Sequence, residues 1–338
     1  MKYKVAYIVK NWSYPDLLRQ TSGNLGIWKN VRFTLKPVKE CDYLIVLNYS
    51  PLTIKVKCPP ENIWLVAQEP PYPIFRDIKF IPKIYSRVFT VDRAFKEEKY
   101  EYSQPALPWH INKSYDELNS MPVPKKKFTL SCITSLKKNV RGHVTRLELL
   151  KKLKKNLRFD FIATTDIYTI GNKSESPNKL RERLLKLGYT KIVRGGKWEG
   201  LSPYRYSIVI ENYHGLDNWT EKLADCFLSY TMPIYSGCTN ISHYFPKDSL
   251  FTFDLDDPDI YKKINRLISS DHWLKNLNSI KKARQLILEK YQFFPYFAQK
   301  INSAEKKNTV KKIKKEIVLY RENKFSDHLL HKVRRLFG

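Results

Sequence analysis

Between Tyr204 and Phe245 the chain reads YRYSIVIENYHGLDNWTEKLADCFLSYTMPIYSGCTNISHYF, and Thr220, Glu221 and Lys222 within it are three residues suited to a nucleotide. A threonine can cap a helix, a glutamate can accept from ribose or sugar hydroxyls, and a lysine can neutralise a diphosphate. The elements around them follow from periodicity. The apolar run Tyr206 to Ile210 stops at Glu211-Asn212, a polar loop follows, and an amphipathic run starts at Thr220, which predicts strand, loop and helix start. Ligands of α/β enzymes collect where strand ends meet helix N-termini, because free backbone N–H groups and the helix dipole favour phosphate oxygens there. Met232 to Gly237 reads as a second buried strand ending at a glycine turn.

The remainder of the chain must hold that unit in place. Its 338 residues suggest two domains, and its composition, 42% hydrophobic with 14% aromatic residues, suits packed cores and excludes a disordered protein. A formal charge of +28 calls for an anionic partner: nucleic acid, an acidic membrane face or a phosphorylated substrate. A lysine-rich background composition is the plain alternative. No zinc-finger, RRM or helix-turn-helix pattern supports nucleic acid. Five scattered cysteines without a C-x-x-C argue for a reducing compartment and against structural zinc. Val5 to Val9 is too short for a signal-peptide core, and no run approaches the roughly 20 apolar residues of a membrane span. The expected location is cytoplasmic, soluble or peripheral.

Short apolar strands at Lys2–Val9, Cys41–Leu47, Asn62–Ala67 and Val88–Val91 predict a Rossmann-like first domain, 1–122, with a Pro-rich linker at Met121–Lys127. Strands at Phe128–Ile133 and Phe159–Ile162, a helix over Gly142–Leu157, and a long helix over Asp271–Tyr291 predict a second domain, 123–302. In the tail, 303–338, Val310, Ile313, Ile317 and Tyr320 form one helical stripe and Leu329, Leu330, Val333, Leu336 and Phe337 another, and a basic amphipathic helix of this kind suits an anionic membrane surface; packing on its own protein or a coiled-coil partner surface is the alternative. Asp254-Leu255-Asp256 imitates a D-x-D metal motif, while His110 and His143 are single imidazoles without metal-ligand spacing.

These residues carry a resemblance to the family 10 glycosyltransferases, the α-1,3/4-fucosyltransferases. The shared pattern is a strand ending in Glu211-Asn212, then Thr220-Glu221-Lys222 nine residues after that Glu, then Pro233, Gly237 and Phe245-Pro246 in order. Asn218 stands where the family usually has tyrosine, beside Trp219. Upstream, Ala163 to Asp166 replaces a Gly-Arg-Gly-like turn. The resemblance implies a GT-B-like α/β fold, two Rossmann-type domains across a cleft, and inverting transfer of fucose from GDP-fucose to a glycan or lipid-linked glycan hydroxyl without a metal. It implies donor contacts from Arg146 (with Arg141 its competitor), Lys197, Glu211, Asn218, Trp219, Thr220, Glu221 and Lys222. Glu69, in Gln68-Glu69-Pro70-Pro71, is the base it suggests. The alternatives are a different nucleotide-sugar donor or, from another class, a nucleic-acid-binding protein.

Overall fold

The computed structural model describes residues 3–13, 15–71, 83–138, 140–164, 177–193, 196–307 and 312–321. The chain divides into two compact units: unit 1, Met1–Leu107 with Gln292–Gly338, and unit 2, Pro108–Tyr291. The division therefore falls at 107/108 where the linker prolines suggested 122/123. The chain also returns to unit 1 at Gln292 instead of staying in unit 2 to residue 302.

Unit 1 is built on a sheet of order β2-β3-β1-β4-β6-β7-β8: β1 (Lys4–Lys10), β2 (Ile27–Trp28), β3 (Val31–Thr34), β4 (Tyr43–Leu47), β6 (Ile63–Val66), β7 (Arg87–Thr90) and β8 (Tyr100–Tyr102). Its pairings are parallel except β2 with β3. Strands covered on both faces read as continuous apolar runs, and β4 and β6 do so. Ala6, Ile8, Tyr43, Ile45 and Leu47 face one core, completed by Phe293, Phe294, Phe297 and Ile301 of the helix Phe293–Lys307. Tyr7, Val9, Leu44 and Val46 face the other, covered by β5 (Ile54–Cys58) and β15 (Lys315–Leu319).

β15 corrects the expected helical stripe of the tail. Residues 315–319 pair antiparallel with β5, from Lys315 opposite Cys58 to Leu319 opposite Ile54. Ile317 and Leu319 turn inward with period two, whereas Ile313 and Tyr320 are exposed. β-branched residues with a waiting partner strand outweigh the helical spacing. Residues 308–311 and 322–338 of that expected helix lie outside the described residues.

Unit 2 carries a fully parallel sheet of order β11-β10-β9-β12-β13-β14. The strands are β9 (Phe128–Ile133), β10 (Asp160–Thr164), β11 (Lys191–Val193), β12 (Tyr204–Ile210), β13 (Met232–Ser236) and β14 (Phe251–Thr252). Counted from β9 this is the doubly wound order 3-2-1-4-5-6, whose direction switches between β9 and β12. Its helices are α1 (Tyr115–Ser120), α2 (Arg141–Asn156), α3 (Pro177–Lys186), α4 (Lys197–Leu201), α5 (Glu221–Leu228), α6 (Ile260–Ile268), α7 (His272–Lys275) and α8 (Leu277–Leu286); α9 is the Phe293–Lys307 helix of unit 1. The long helix expected over 271–291 is broken: α7 ends at Asn276, and after α8 a π-helical turn, Ile287–Tyr291, closes the unit. Among the described residues no helix is long and apolar enough to cross a membrane.

Candidate functional site

The carboxyl ends of β9 and β12, at the switch point of unit 2, hold a network of alternating charge. β12 delivers Glu211, buried to 2% exposure, just past Ile210. Its carboxylate accepts from the Thr220 backbone N–H at 2.9 Å, and Thr220 Oγ1 lies 2.9 and 2.8 Å from its two oxygens. Lys222 Nζ donates to Glu211 Oε2 at 3.3 Å and pairs with Glu221 at 3.4 Å. Thr220 Oγ1 in turn accepts from the Lys222 N–H and so caps α5, as its type predicts. Glu211 thus ties the strand end to the helix start, which is why nine residues separate it from Thr220.

α4 supplies the next charge. Lys197 Nζ sits 2.9 Å from Asp225 Oδ2 and 3.6 Å from Glu221, and Asp225 also accepts from the His110 backbone N–H at 2.8 Å. Lys197, expected to contact the donor, is the first residue of α4 and is paired with both carboxylates; residues 194–195 lie outside the described residues. From α2, Arg146 comes in 4% exposed, donating to Asn212 Oδ1 at 2.6 Å, while its buried Nε has no hydrogen-bond partner among the described residues. The close approach behind this contact needs Gly142: a Cβ there would stand 1.7 Å from the Asn212 carbonyl oxygen.

Electrostatics follow from burial and pairing. Burial opposes ionisation of Glu221, but Lys222 and Lys197 outweigh it and hold the carboxyl well below the usual range. Burial likewise works against Lys197 and Lys222, yet their carboxylate neighbours keep both ammoniums above the ordinary lysine value. Burial raises Asp225, with Lys197 opposing. His143, one turn before Arg146, is pushed down to about 4 by burial and by Arg146, Lys222 and Lys137, so its ring is neutral at pH 7.

Two hollows adjoin the network. A cavity of about 30 Å³, room for one water, is lined by Arg146, Lys197, Lys222 and Asp225 among apolar strand residues. A groove of about 810 Å³ opens over the ends of β13 and β14, lined by His214, Ser236, Gly237, Lys247, Asp254 and Asp256 among others. Gly237 joins the two regions, since a Cβ on it would meet Glu211 Cγ at 2.5 Å. Among the described residues no group of three or more His, Cys, Asp or Glu is assembled that could hold a metal ion.

Two expected donor contacts have other surroundings. Trp219 is 5% exposed and packs edge-on against Tyr244, Phe245 and Tyr291. Asn218 is buried and donates to the Tyr213 carbonyl, closing the loop after β12. Glu69 belongs to unit 1 and stands exposed beyond the end of β6. Its neighbour Gln68 is buried, donating to Pro105 O at 3.1 Å and, through its backbone, to Asn48 Oδ1 at 2.8 Å. Sequence reasoning missed Asp225, Asn212 and Gly142. Only Asp225 had a local signal, a carboxylate inside the apolar run Leu223 to Leu228.

Neither a protein-family model nor a curated protein sequence matches the chain. Among solved structures it is similar to an α1,3-fucosyltransferase at 15% identity and TM-score 0.45, over 87% of this chain and 93% of that one. It is also similar to a glycosyltransferase from Rickettsia africae, at 10% identity and TM-score 0.49 over 90% and 98%. The Anabaena protein HepE, solved with UDP and glucose, aligns at 9% identity and TM-score 0.49 over 90% and 100%. What the site can do follows from its own residues.

Proposed function

We propose that the chain is an inverting glycosyltransferase of GT-B-like architecture, which holds a nucleoside-diphosphate sugar at unit 2 and passes the sugar to a glycan hydroxyl. The observation that carries this reading is the gathering of Arg146, Lys197 and Lys222 at the switch point, beside the capped start of α5. Positive charge fixed in advance stabilises a departing diphosphate, and the protein's own cations can supply it. Arg146 and Lys222 hold the phosphates, Glu221 accepts from sugar or ribose hydroxyls, and Lys197 steadies Glu221. Glu211 and Thr220 act through Lys222 as positioning residues, and Asn218 and Trp219 shape the loop. Glu69 is the base that takes the acceptor proton.

GDP-fucose is the donor this reading favours, supported by the Glu211, Thr220-Glu221-Lys222, Pro233 and Gly237 spacing. A second donor class is supported by Asn218, which stands at the family's tyrosine position and donates to the Tyr213 carbonyl. The acceptor is a bacterial surface glycan or its lipid-linked precursor, reached at the cytoplasmic membrane face; nucleic acid is not a partner. The test is transfer to an oligosaccharide array from GDP-fucose and a panel of other nucleotide sugars, wild type against Lys222→Ala. Transfer from GDP-fucose that falls at least about a hundredfold in the variant supports the reading. Transfer from a UDP-sugar alone selects the second donor class, and no transfer from any donor by folded protein sinks both.

A further inference from the structure

Independently of the donor reading, we propose that the outer face of α2 and α3 in unit 2 docks on an anionic lipid bilayer. The sequence placed a lipid-facing stripe in the tail, but residues 315–319 of that stripe form β15, and Ile317 and Leu319 are buried. A densely cationic surface lies elsewhere among the described residues. Among the described residues from 148 to 187, nine Lys or Arg are exposed against two Glu. The two helices form one surface, because Lys154 near the end of α2 donates to the Gly188 carbonyl, just after α3, at 2.7 Å.

The same helices turn Leu149, Leu150, Leu153 and Leu184 into the core, so the outward face keeps Lys151, Lys155, Arg183 and Lys186. At its edge Leu185 and Leu187 are 40% and 47% exposed, on either side of Lys186. Single exposed leucines are ordinary. Two of them flanking a lysine at the tip of a cationic face are the arrangement by which a surface helix enters the acyl boundary while its lysines meet phosphate headgroups. Duplex nucleic acid would use the charge but has no place for the leucines, and no aromatic side chain is among the exposed large apolar residues of α2 or α3 for bases to stack on. Lipid accounts for both features.

The experiment is co-sedimentation of the full chain with phosphatidylcholine vesicles containing about 30% phosphatidylglycerol, and with phosphatidylcholine alone. Binding to the anionic vesicles only is expected. Leu185→Ser/Leu187→Ser and Lys151→Glu/Lys155→Glu should each weaken it by about tenfold or more, with thermal unfolding unchanged because these side chains lie outside the core. The five native cysteines are buried, so a Leu185→Cys variant can carry a polarity-sensitive fluorophore selectively. Its emission should shift to the blue on the anionic vesicles and stay put on duplex DNA. The proposal is overturned if wild type binds neither vesicle, if both double variants bind like wild type, or if the label stays in water on bound protein.

Discussion

The strand ends of the two units carry opposite chemistries. In unit 1, amides do the bonding: Asn48, with φ +63°, accepts from the Gln68 N–H, and the Gln68 side chain reaches the Pro105 carbonyl. In unit 2 the equivalent edge holds carboxylates and cations in alternation, Glu211 and Asp225 buried and Lys222, Glu221 and Lys197 half-buried between them. Both sheets rest on similar apolar strands, so architecture does not separate the units; the residues just past each strand do. Neutral amides discriminate hydroxyl groups at little electrostatic cost, while a buried ionic chain is costly unless every member is paired. Unit 2 bears that cost and gains a fixed field.

If that contrast is sound, Asp225→Ala should have the largest effect on stability. It strips the nearest partner from a largely enclosed Lys197, and urea unfolding should report a loss of about 3 kcal/mol. A loss under about 1 kcal/mol would mean that the chain of charges is not coupled as its geometry requires. Gln68→Ala probes the other unit. It leaves the Pro105 carbonyl without that donor, so a loss of about 1–3 kcal/mol is expected, with nucleotide affinity unchanged. A fall in nucleotide affinity in this variant would blur the division of labour between the units.

A smaller effect belongs to pH. An unfolded histidine takes up its proton near 6.5, whereas His143 does so only at about 4. The unfolded state therefore binds more protons between those values, and stability declines as pH falls through that window. His143→Gln should flatten the decline in unfolding experiments at pH 4.5 to 6.5, and an identical slope in the variant would contradict the assignment. Glu221 acts in the same direction at lower pH: its depressed carboxyl stabilises above the ordinary glutamate value and loses that contribution on further acidification.

How much of this was legible in the sequence depended on separation along the chain. The bond between Glu211 and Thr220 spans a single loop, so its spacing was readable. The partnership of Lys197 with Asp225 crosses 28 positions, and that of Arg146 with Asn212 crosses 66, distances over which no local periodicity speaks. The return of α9 to unit 1 was hidden for a related reason, since Phe293, Phe294 and Phe297 would suit either core. Residues 315–319 misled because Ile313, Ile317 and Tyr320 keep helical spacing, while the partner strand that decides their conformation lies more than 250 residues away. The parallel sheets were visible because buried strands announce themselves by composition.

The central claim is that Arg146 and Lys222 grip a diphosphate at the switch point of unit 2. Calorimetric titration of GDP into wild type, Arg146→Ala and Lys222→Ala measures this directly. The account predicts saturable binding by wild type and a loss of about 2–3 kcal/mol, roughly 30- to 150-fold, in each variant. Equal affinity in all three folded proteins would contradict it.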